Sequence, residues 1–277
     1  MTNTDRLRRS TSAVMTALTA LCTLLAVGAL LIILSYIAWQ GIGSLNLQFL
    51  IDRPRPVGEG GGIGNAILGS LVLLAISAVL GLPLGISVGV DLSEVGTGRF
   101  AGAVRFMVDT LTGIPSIVTG VFVYAVLVLP MKHFSAFAGG VALALIMIPI
   151  VARTTEEMLK LVPHSLREGA LALGAPQWRV TLGVIIPAAA PGIATGAMLA
   201  IARISGETAP LLFTAFGSRF FPSSLNEPIA SLTVQIYNYA ISPYDEWHAQ
   251  AWAATLVLMV LVLGINISVR FVTRKRF

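Results

Sequence analysis

Charged residues are scarce in this chain, since only 11% of its 277 residues are Asp, Glu, Lys or Arg. Hydrophobic residues make up 56% of the sequence, and the mean hydropathy is +0.85. A soluble domain of ordinary composition carries about 25% charged residues. The composition therefore argues against a soluble fold and predicts a protein that lies in a lipid bilayer.

Sites for disulfides, metals, catalysis and nucleic acids are also missing. Cys22 is the single cysteine, which makes an internal disulfide impossible. The histidines are scattered over different loops, which argues against a metal site: His133, His164 and His248. No nucleophile with a neighbouring base is visible, and the basic residues form no patch that would read RNA or DNA. We therefore expect neither an enzyme nor a nucleic-acid-binding protein.

A P-loop for binding nucleotide phosphates is absent as well. Residues 58–64 are rich in glycine, but no strand precedes them and no Gly-Lys-Ser/Thr sequence ends them. We interpret this segment as a flexible hinge between the first membrane span and the rest of the chain. Because no lysine lies in a P-loop context, we expect no cofactor to be bound by this chain. Any ATP with Mg²⁺ would be used by a partner chain.

Six apolar stretches are long enough to cross a bilayer, which takes about 17–25 residues in a helix. They lie near residues 14–39, 66–90, 112–130, 138–157, 188–217 and 250–272. With the N-terminus in the cytoplasm, 13 basic residues lie at or near the inner side and four lie outside: Arg53, Arg55, Lys132 and Arg219. Cytoplasmic loops are enriched in Lys and Arg, so both termini are predicted to be cytoplasmic.

The connections between these stretches differ in character. Residues 91–113 carry charges of both signs and are interpreted as a solvated amphipathic connection on the inner side. Residues 218–250 form a long outer loop, either a surface for a partner protein or an amphipathic cover at the membrane interface. Prolines in or at the ends of the spans predict kinks or breaks: Pro115, Pro149, Pro191 and Pro210. Gly192 and Gly196 have the small-residue spacing of a helix contact.

The inner loop between the fourth and fifth apolar stretches has the features of a short helix. Residues 164–175 favour a helix, with Glu168 placed for its first turn and Gly174 for its C-terminal stop. A short capped helix outside the bilayer is a rigid surface that a partner can bind. We predict a cytoplasmic docking loop, and the alternative is an ordinary interfacial helix that links two spans.

Arg203 and Glu207 form an ionisable pair within an otherwise apolar run. They are four residues apart, so they share one face of a helix. Charges at membrane depth cost at least about 2.5–3.5 kcal/mol each, so such groups face a cavity, pair with each other or serve transport. Gly206 and Pro210 predict a helix break beside the pair. Either a substrate path or an internal salt bridge that fixes the bundle would explain these residues.

Arg153 lies at the inner end of the fourth apolar stretch. Acidic residues follow it three and four positions later. A functional role and a simple ion pair with Glu157 are both compatible with this pattern.

Three segments together resemble one family of transporter subunits. The spacing Glu-x-Ala, then Gly, then apolar-x-apolar-Pro resembles the EAA motif of ABC transporter permeases, whose loop inserts as a coupling helix into a cleft of the ATPase subunit. Gly169 stands where the family commonly has Ala, and the motif positions are Glu168, Gly169, Ala170, Gly174, Val184, Ile186 and Pro187. With residues 150–156 and 203–213, this loop resembles the permeases of bacterial phosphate-specific ABC importers over about residues 61–270.

The resemblance implies an all-α, polytopic protein with six transmembrane helices and the type I ABC importer permease fold. Residues 1–62 would hold the cytoplasmic N-terminus, the first transmembrane helix and an outer loop. The permease domain would cover residues 63–272, with the coupling loop near 158–187, and residues 273–277 would form a cytoplasmic tail.

The resemblance also implies a complex in the bacterial inner membrane that imports inorganic phosphate. Its members would be a related permease chain, two cytoplasmic ATPase subunits that use ATP and Mg²⁺, and an extracytoplasmic phosphate-binding protein. The family's residues for phosphate passage fall on Arg153, Arg203 and Glu207. A permease for another oxyanion, such as molybdate or sulfate, is the main alternative. A secondary transporter is the alternative from another class.

Overall fold

A computed structural model describes residues 3–96 and 98–274 of the chain, and no β-strand is present within these ranges. The predicted tail at 273–277 lies largely outside the described residues, as do the side chains of several terminal basic residues that entered the charge count. The helices are α1 (Asn3–Ile42), α2 (Leu47–Ile51), α3 (Gly64–Glu94), α4 (Gly98–Gly113), α5 (Ser116–Val123), α6 (Leu129–Met131), α7 (Ala136–Lys160), α8 (His164–Ala172), α9 (Gln177–Val180), α10 (Ile186–Ser205), α11 (Ala209–Thr214), α12 (Leu232–Ala240) and α13 (Asp245–Arg274).

Two short π-helical stretches join some of these helices end to end. Tyr124–Val128 connects α5 to α6, and Thr181–Ile185 connects α9 to α10. A π-helical turn holds one extra residue per turn and often occurs at functional sites. The second stretch lies within the span Gln177–Ser205, after the predicted docking helix at 164–175.

Five described helices are long and apolar enough to cross a membrane, and a bent pair brings the number to six. The five helical spans are Thr11–Ile42, Gly64–Glu94, Ala136–Lys160, Gln177–Ser205 and Asp245–Ser268. The bent pair joins Gly98–Gly113 to Ser116–Met131 at 104°. The six predicted spans are therefore confirmed when this pair counts as one, although the third of them is broken at Ile114 and Pro115.

The first and last of these spans lie side by side. The helix α1 packs mainly against α13, where Tyr36 and Trp252 make an edge-to-face contact with ring centroids 5.3 Å apart. Gly41 lies against the Trp252 carbonyl oxygen, because a Cβ atom there would be 2.9 Å from it. Between Thr11 and Ile42, most of the other side chains are exposed, as expected for a helix surrounded by lipid.

The centre of the bundle is the contact between α3 and α7. Glycines recur every four residues along one face of α3 and let its backbone approach α7 closely: Gly81, Gly85 and Gly89. A Cβ atom at Gly85 would be 2.7 Å from Val151 Cβ, and one at Gly89 would be 2.6 Å from Thr155 Cβ. On an adjacent face of α7, Gly192 and Gly196 of α10 lie against Met158 and Thr154, so their predicted helix contact is confirmed.

The glycine-rich segment at 58–64 packs against α2, and its prediction as a flexible hinge was wrong. The Gly62 and Gly64 amides donate hydrogen bonds to the Arg53 and Asp52 carbonyls, at 3.1 and 2.9 Å. Gly61 has φ +110°, and a Cβ atom there would be 2.7 Å from the Arg55 backbone nitrogen. Glycine is needed in this segment because two backbones touch, and the contact fixes the loop onto the bundle.

The predicted outer loop at 218–250 contains a helix that is partly inside the bundle. The residues from Ile229 to Val234 are all buried. Ser231 caps the N-terminus of α12, and the Ser70 hydroxyl on α3 accepts a hydrogen bond of 2.8 Å from the Leu232 amide. An amphipathic cover therefore does not describe the stretch from 229 to 234, because its side chains form part of the core.

Candidate functional site

Arg203 and Glu207 lie at the end of α10 and form the ion pair that their spacing predicts. The helix ends at Ser205, and Glu207 lies in the short break before α11, whose first turn holds Pro210. The break predicted from Gly206 and Pro210 is therefore present. It makes α10 and α11 two separate helices, where the sequence predicted one span over 188–217.

The two members of the pair have different surroundings. The Glu207 side chain is 6% exposed, whereas the Arg203 side chain is 59% exposed. The hydroxyl of Thr233 on α12 donates a hydrogen bond of 2.9 Å to the Glu207 backbone carbonyl. Arg203 therefore holds the Glu207 side chain, and Thr233 holds its backbone. The buried Glu207 carboxylate therefore fixes the position of Arg203. The guanidinium has further N–H donors that Glu207 does not use, and these face open space.

That open space is a cavity of about 320 Å³ between α4, α5, α7 and α10. Arg203 is the only charged residue among the described residues that line it: Leu111, Thr112, Ile114, Ser116, Val118, Thr119, Phe122, Leu145, Ile146, Ile150 and Arg203. Ile146 and Ile150 lie near the middle of α7, which places Arg203 at mid-depth of the membrane span. A permanently charged group faces an otherwise neutral cavity at this depth.

The bend between α4 and α5 forms the other side of this cavity. Ser116 is the first residue of α5, and the preceding Pro115 provides no side-chain cap. The first amides of a helix carry partial positive charge and lack partners within the helix. The last turn of α4, with its partly negative carbonyl groups, lines the same cavity at Leu111 and Thr112, so Arg203 is the only full positive charge among the described lining residues that favours an anion there.

Arg153 is not among the residues that line the Arg203 cavity. It follows Ile150 by about one helical turn towards the predicted cytoplasmic end of α7, and its side chain is 44% exposed. Its guanidinium lies 2.9 Å from Glu157, 3.7 Å from Glu156 and 3.9 Å from Asp109. The ion pair with Glu157 is present, as the spacing predicts, and three acids balance the charge of Arg153.

The predicted docking loop contains the helix α8 (His164–Ala172), which is exposed over most of its length. Gly174 has φ +82° and follows the helix in the left-handed conformation. The Gly174 amide donates to the Leu171 carbonyl at 2.9 Å, and the Ala175 amide donates to the Ala170 carbonyl at 3.4 Å. These two bonds form a Schellman motif, so the predicted stop at Gly174 is confirmed.

The predicted first-turn position of Glu168 was wrong, because α8 begins at His164 and Glu168 lies in its second turn. Glu168 is exposed, and a Cβ atom at the neighbouring Gly169 would meet nothing within 4 Å. Position 169 therefore has room for the Ala that EAA motifs commonly carry. Leu173, at the end of the helix, is 90% exposed and presents apolar surface at the tip of the loop.

The inner face of the docking loop is fixed to the bundle. Ala170 and Val184 pack against a buried cluster that includes Leu159 and Ile185, so two EAA positions hold the loop in place. Arg167 donates to Glu94 at 2.5 Å and to the Leu159 carbonyl at 3.0 Å. Pro187 lies just after the π-helical stretch Thr181–Ile185, inside the continuous helical span Gln177–Ser205.

A charge cluster that the sequence did not predict lies next to this loop. Glu156 on α7 is 1% exposed and accepts hydrogen bonds from Arg105 at 2.7 Å and Lys160 at 2.5 Å. Arg105 also donates to the carbonyls of Leu92 and Gly96, at 2.6 and 3.3 Å. Residues 91–94 therefore belong to the end of α3 and residues 98–113 form the helix α4, which is largely exposed but is ion-paired to α7 through Arg105.

Comparison with known proteins agrees with this architecture. Residues 81–277 match the family described as binding-protein-dependent transport system inner membrane component. The phosphate transport system permease protein PstA of Yersinia pestis is 48% identical over 239 residues, covering 86% of this chain and 81% of that protein. The protein of the same name from Haemophilus influenzae is 47% identical over 232 residues, covering 83% of this chain and 82% of its own.

Solved structures show the same fold at low sequence identity. A subunit of a bacterial alginate ABC transporter, in complex with an alginate pentasaccharide-bound periplasmic protein, aligns with a TM-score of 0.68 and 16% identity, covering 98% of this chain and 96% of its own. An inward-facing MetNI methionine ABC transporter chain aligns with a TM-score of 0.62 and 22% identity, covering 77% of this chain and 96% of its own. The fold is thus that of type I ABC importer permeases. The chain belongs to the family of binding-protein-dependent transport system inner membrane components and, within it, to the PstA permeases.

Proposed function

We propose that this chain is the permease subunit of an ATP-driven importer that moves inorganic phosphate into the cell. The observation that carries the proposal is the Arg203 guanidinium, the only charged group among the described residues lining a mid-membrane cavity. Relatives that are 40–48% identical carry the name of phosphate transport system permease proteins. An anion that crosses at this point would meet positive charge, and a cation would be repelled.

Arginine suits this step for two physical reasons. Its planar fork donates paired hydrogen bonds to the oxygens of a phosphate, and it stays charged at every working pH. Glu207 occupies one side of the guanidinium, so the bound phosphate competes with a carboxylate and is released again. Arg153 would be the next positive group towards the cytoplasm, where its three neighbouring acids keep phosphate binding weak.

The complex that this function requires has other members. We propose a heterodimer with a related permease chain in the bacterial inner membrane, and an extracytoplasmic phosphate-binding protein that delivers the anion. Two cytoplasmic ATPase subunits would bind the loop from Glu168 to Gly174 and would hydrolyse ATP with Mg²⁺. The exposed α8 with its apolar tip at Leu173 offers such subunits a rigid surface.

The test replaces both charges of the pair at once. Arg203→Gln alone leaves the buried Glu207 carboxylate without a partner, which destabilises the fold and confuses the result. The double variant Arg203→Gln with Glu207→Gln removes this problem and keeps approximate size and polarity. We expect it to assemble with its partner subunits while phosphate uptake into proteoliposomes falls at least about tenfold, the loss of roughly 1.4 kcal/mol of anion stabilisation.

A matched control removes a second Arg–Glu pair, which lies near the predicted cytoplasmic end of α7. Arg153→Gln with Glu157→Gln neutralises an exposed pair on α7, and we expect a smaller decrease in uptake. Sulfate and molybdate, added as competitors, identify which oxyanion the wild-type complex carries. Normal phosphate uptake by the assembled Arg203/Glu207 double variant would leave the pair with a structural role only.

A further inference from the structure

A second cavity, of about 390 Å³, lies on the side of the bundle that the charge pattern places outside the cell. Its walls come from the loop at Pro54 and Arg55, the segment from Leu212 to Arg219, the helix α12 and Trp247 of α13. None of these residues lines the Arg203 cavity. The two cavities are therefore separate spaces, at different depths of the same bundle.

The charge of this outer cavity is positive. Arg55 and Arg219 line it, and none of its described lining residues is acidic. Arg55 is paired with Asp52 at 3.0 Å. Arg219 is exposed and makes no ion pair or hydrogen bond with any residue that the structure describes. The nearby Glu246 carboxylate accepts a hydrogen bond of 2.7 Å from the Gly58 amide and keeps its negative charge, but it does not line the cavity, whose described charged residues are the two arginines.

Side chains that carry hydrogen-bond donors line the same cavity. The Trp247 indole N–H is buried and has no acceptor within the described part of the chain, although tryptophan normally finds one. The Trp247 ring stacks on Tyr239, with centroids 5.0 Å apart. Burial raises the pKa of the Tyr239 phenol, so this group stays protonated and remains a donor at neutral pH. The amide side chains of Gln235 and Asn238 complete a lining rich in donors.

The floor of the outer cavity leads towards the ion pair in the membrane. Ser231 lines the cavity, and its hydroxyl lies 3.3 Å from that of Thr233. The Thr233 hydroxyl in turn donates to the Glu207 carbonyl at 2.9 Å. Leu212 also lines the cavity, and it lies on α11, the helix that follows Glu207 in the chain. The cavity is therefore lined by Ser231, a neighbour of the Thr233 hydroxyl that binds the Glu207 carbonyl.

We propose that the outer cavity is an anion-receiving site, centred on Arg219, which binds the oxyanion before it reaches Arg203. A tetrahedral oxyanion offers a negative charge and several acceptor oxygens, which match an unpaired guanidinium and the side-chain amides of Gln235 and Asn238 in the lining. Positive clefts raise the local concentration of an anion at their entrance. The inference rests on the proposed function, because it assumes that this side of the bundle receives the imported anion.

The test measures the electrostatics of the cavity without using transport. Ser218 lines the cavity, and Ser218→Cys in a Cys22→Ser background places one thiol there. In the assembled transporter in nanodiscs, a sulfonate-bearing methanethiosulfonate should modify this thiol about tenfold faster than an ammonium-bearing one. Arg219→Gln should bring the two rates close together, and Arg219→Lys should restore most of the difference. Modification of this chain is quantified by mass spectrometry.

Inorganic phosphate serves as the probe for binding at the same thiol. We expect phosphate to slow modification at constant ionic strength, and Arg219→Gln to raise the half-protecting concentration about tenfold. Arg53→Gln is the matched control, because Arg53 lies on the same loop but stacks over Phe220, 5.7 Å from the ring centroid, and does not line the cavity. It should leave both the rate ratio and the protection unchanged.

The outcomes separate this inference from the proposed function. Equal rates for the two reagents, or protection that survives Arg219→Gln, would overturn the receiving site even if the complex imports phosphate normally. Protection by phosphate in a complex that imports only sulfate or molybdate would overturn the proposed substrate and keep the site as a general oxyanion site. Loss of protection in Arg53→Gln to the same extent as in Arg219→Gln would show a diffuse surface effect and would also overturn the site.

Discussion

Arg105 on α4 donates a hydrogen bond of 2.7 Å to the carboxylate of Glu156 on α7, which is almost completely buried. The same guanidinium binds the carbonyls at the end of α3. Arg167 of α8 binds Glu94, which also belongs to the end of α3. The docking loop is therefore joined through two arginines to α4 and α7, the helices that line the Arg203 cavity.

Removal of the Arg105 side chain should loosen this connection. The variant Arg105→Ala leaves the buried Glu156 carboxylate with Lys160 at 2.5 Å and Arg153 at 3.7 Å, and we expect a loss of about 3 kcal/mol in stability. The measurement is the thermal unfolding midpoint of the purified complex. Glu157→Gln removes an exposed partner of Arg153 in the same region, and it should change stability by no more than about 0.5 kcal/mol. Similar midpoints for wild type and Arg105→Ala would contradict a supporting role.

A methyl group at Gly120 should displace α11 from α5. A Cβ atom there would be 2.6 Å from the Pro210 Cα atom, so backbone and not a flexible side chain blocks it. We expect Gly120→Ala to destabilise the complex by about 1–3 kcal/mol and to lower uptake, because α11 follows directly after Glu207. Gly28→Ala in α1 is the control, since a Cβ atom there meets nothing within 4 Å. Equal stability of the two variants would show that α11 shifts freely.

The two glycines of the docking loop should respond differently to the same substitution. Gly174→Ala places a side chain at φ +82°, which costs about 1 kcal/mol, whereas Gly169→Ala adds a methyl group to an open helix surface. We expect Gly174→Ala to weaken the stimulation of ATPase activity by the loaded binding protein and Gly169→Ala to leave it unchanged. Gly174→Asn should fall between them, because Asn tolerates the left-handed conformation better. The opposite order would contradict a role for the C-terminal stop of α8.

The orientation in the membrane is open to a direct labelling test. Single cysteines at the exposed positions Ser223 and Lys132, in the Cys22→Ser background, should react with an impermeant thiol reagent added to intact cells. A cysteine at Ser165, exposed on α8, should react only after the cells are opened. Labelling of the Ser165 position in intact cells would place the docking loop outside and would contradict the proposed topology.

The local features of the fold followed from the sequence, and the tertiary ones did not. Gly174 marked the end of α8 because only a left-handed residue closes a Schellman motif there. Pro149 and Pro191 predicted breaks, but both lie inside continuous helices, whereas Pro115 and Pro210 do lie at breaks. Proline removes one hydrogen bond in each case, and the packing of neighbouring helices decides whether the helix continues.

The candidate site shows the same division. Arg203 and Glu207 were found because their interaction is local: they are four residues apart, and they pair although Glu207 lies just beyond the end of α10. Glu156 and Arg105 are 51 residues apart, and nothing in either local sequence indicates that they meet. An acidic residue in an apolar stretch, such as Glu156, indicates weakly that a basic partner exists. The sequence does not indicate which residue that partner is, because Arg105 reaches Glu156 only when α4 folds back onto α7. The outer cavity around Arg219 likewise exists only through the folding of four separate segments.

The contact between α1 and α13 has a consequence for biosynthesis. About 200 residues separate the end of α1 at Ile42 from the start of α13 at Asp245. At the usual translation rate of about 5–20 residues per second, α1 enters the membrane roughly 10–40 seconds before its main neighbour is made. Throughout that interval α1 must remain stable as a solitary helix among lipids. A polar substitution on its lipid-facing surface should therefore reduce the yield of inserted protein more than the activity of the protein that matures.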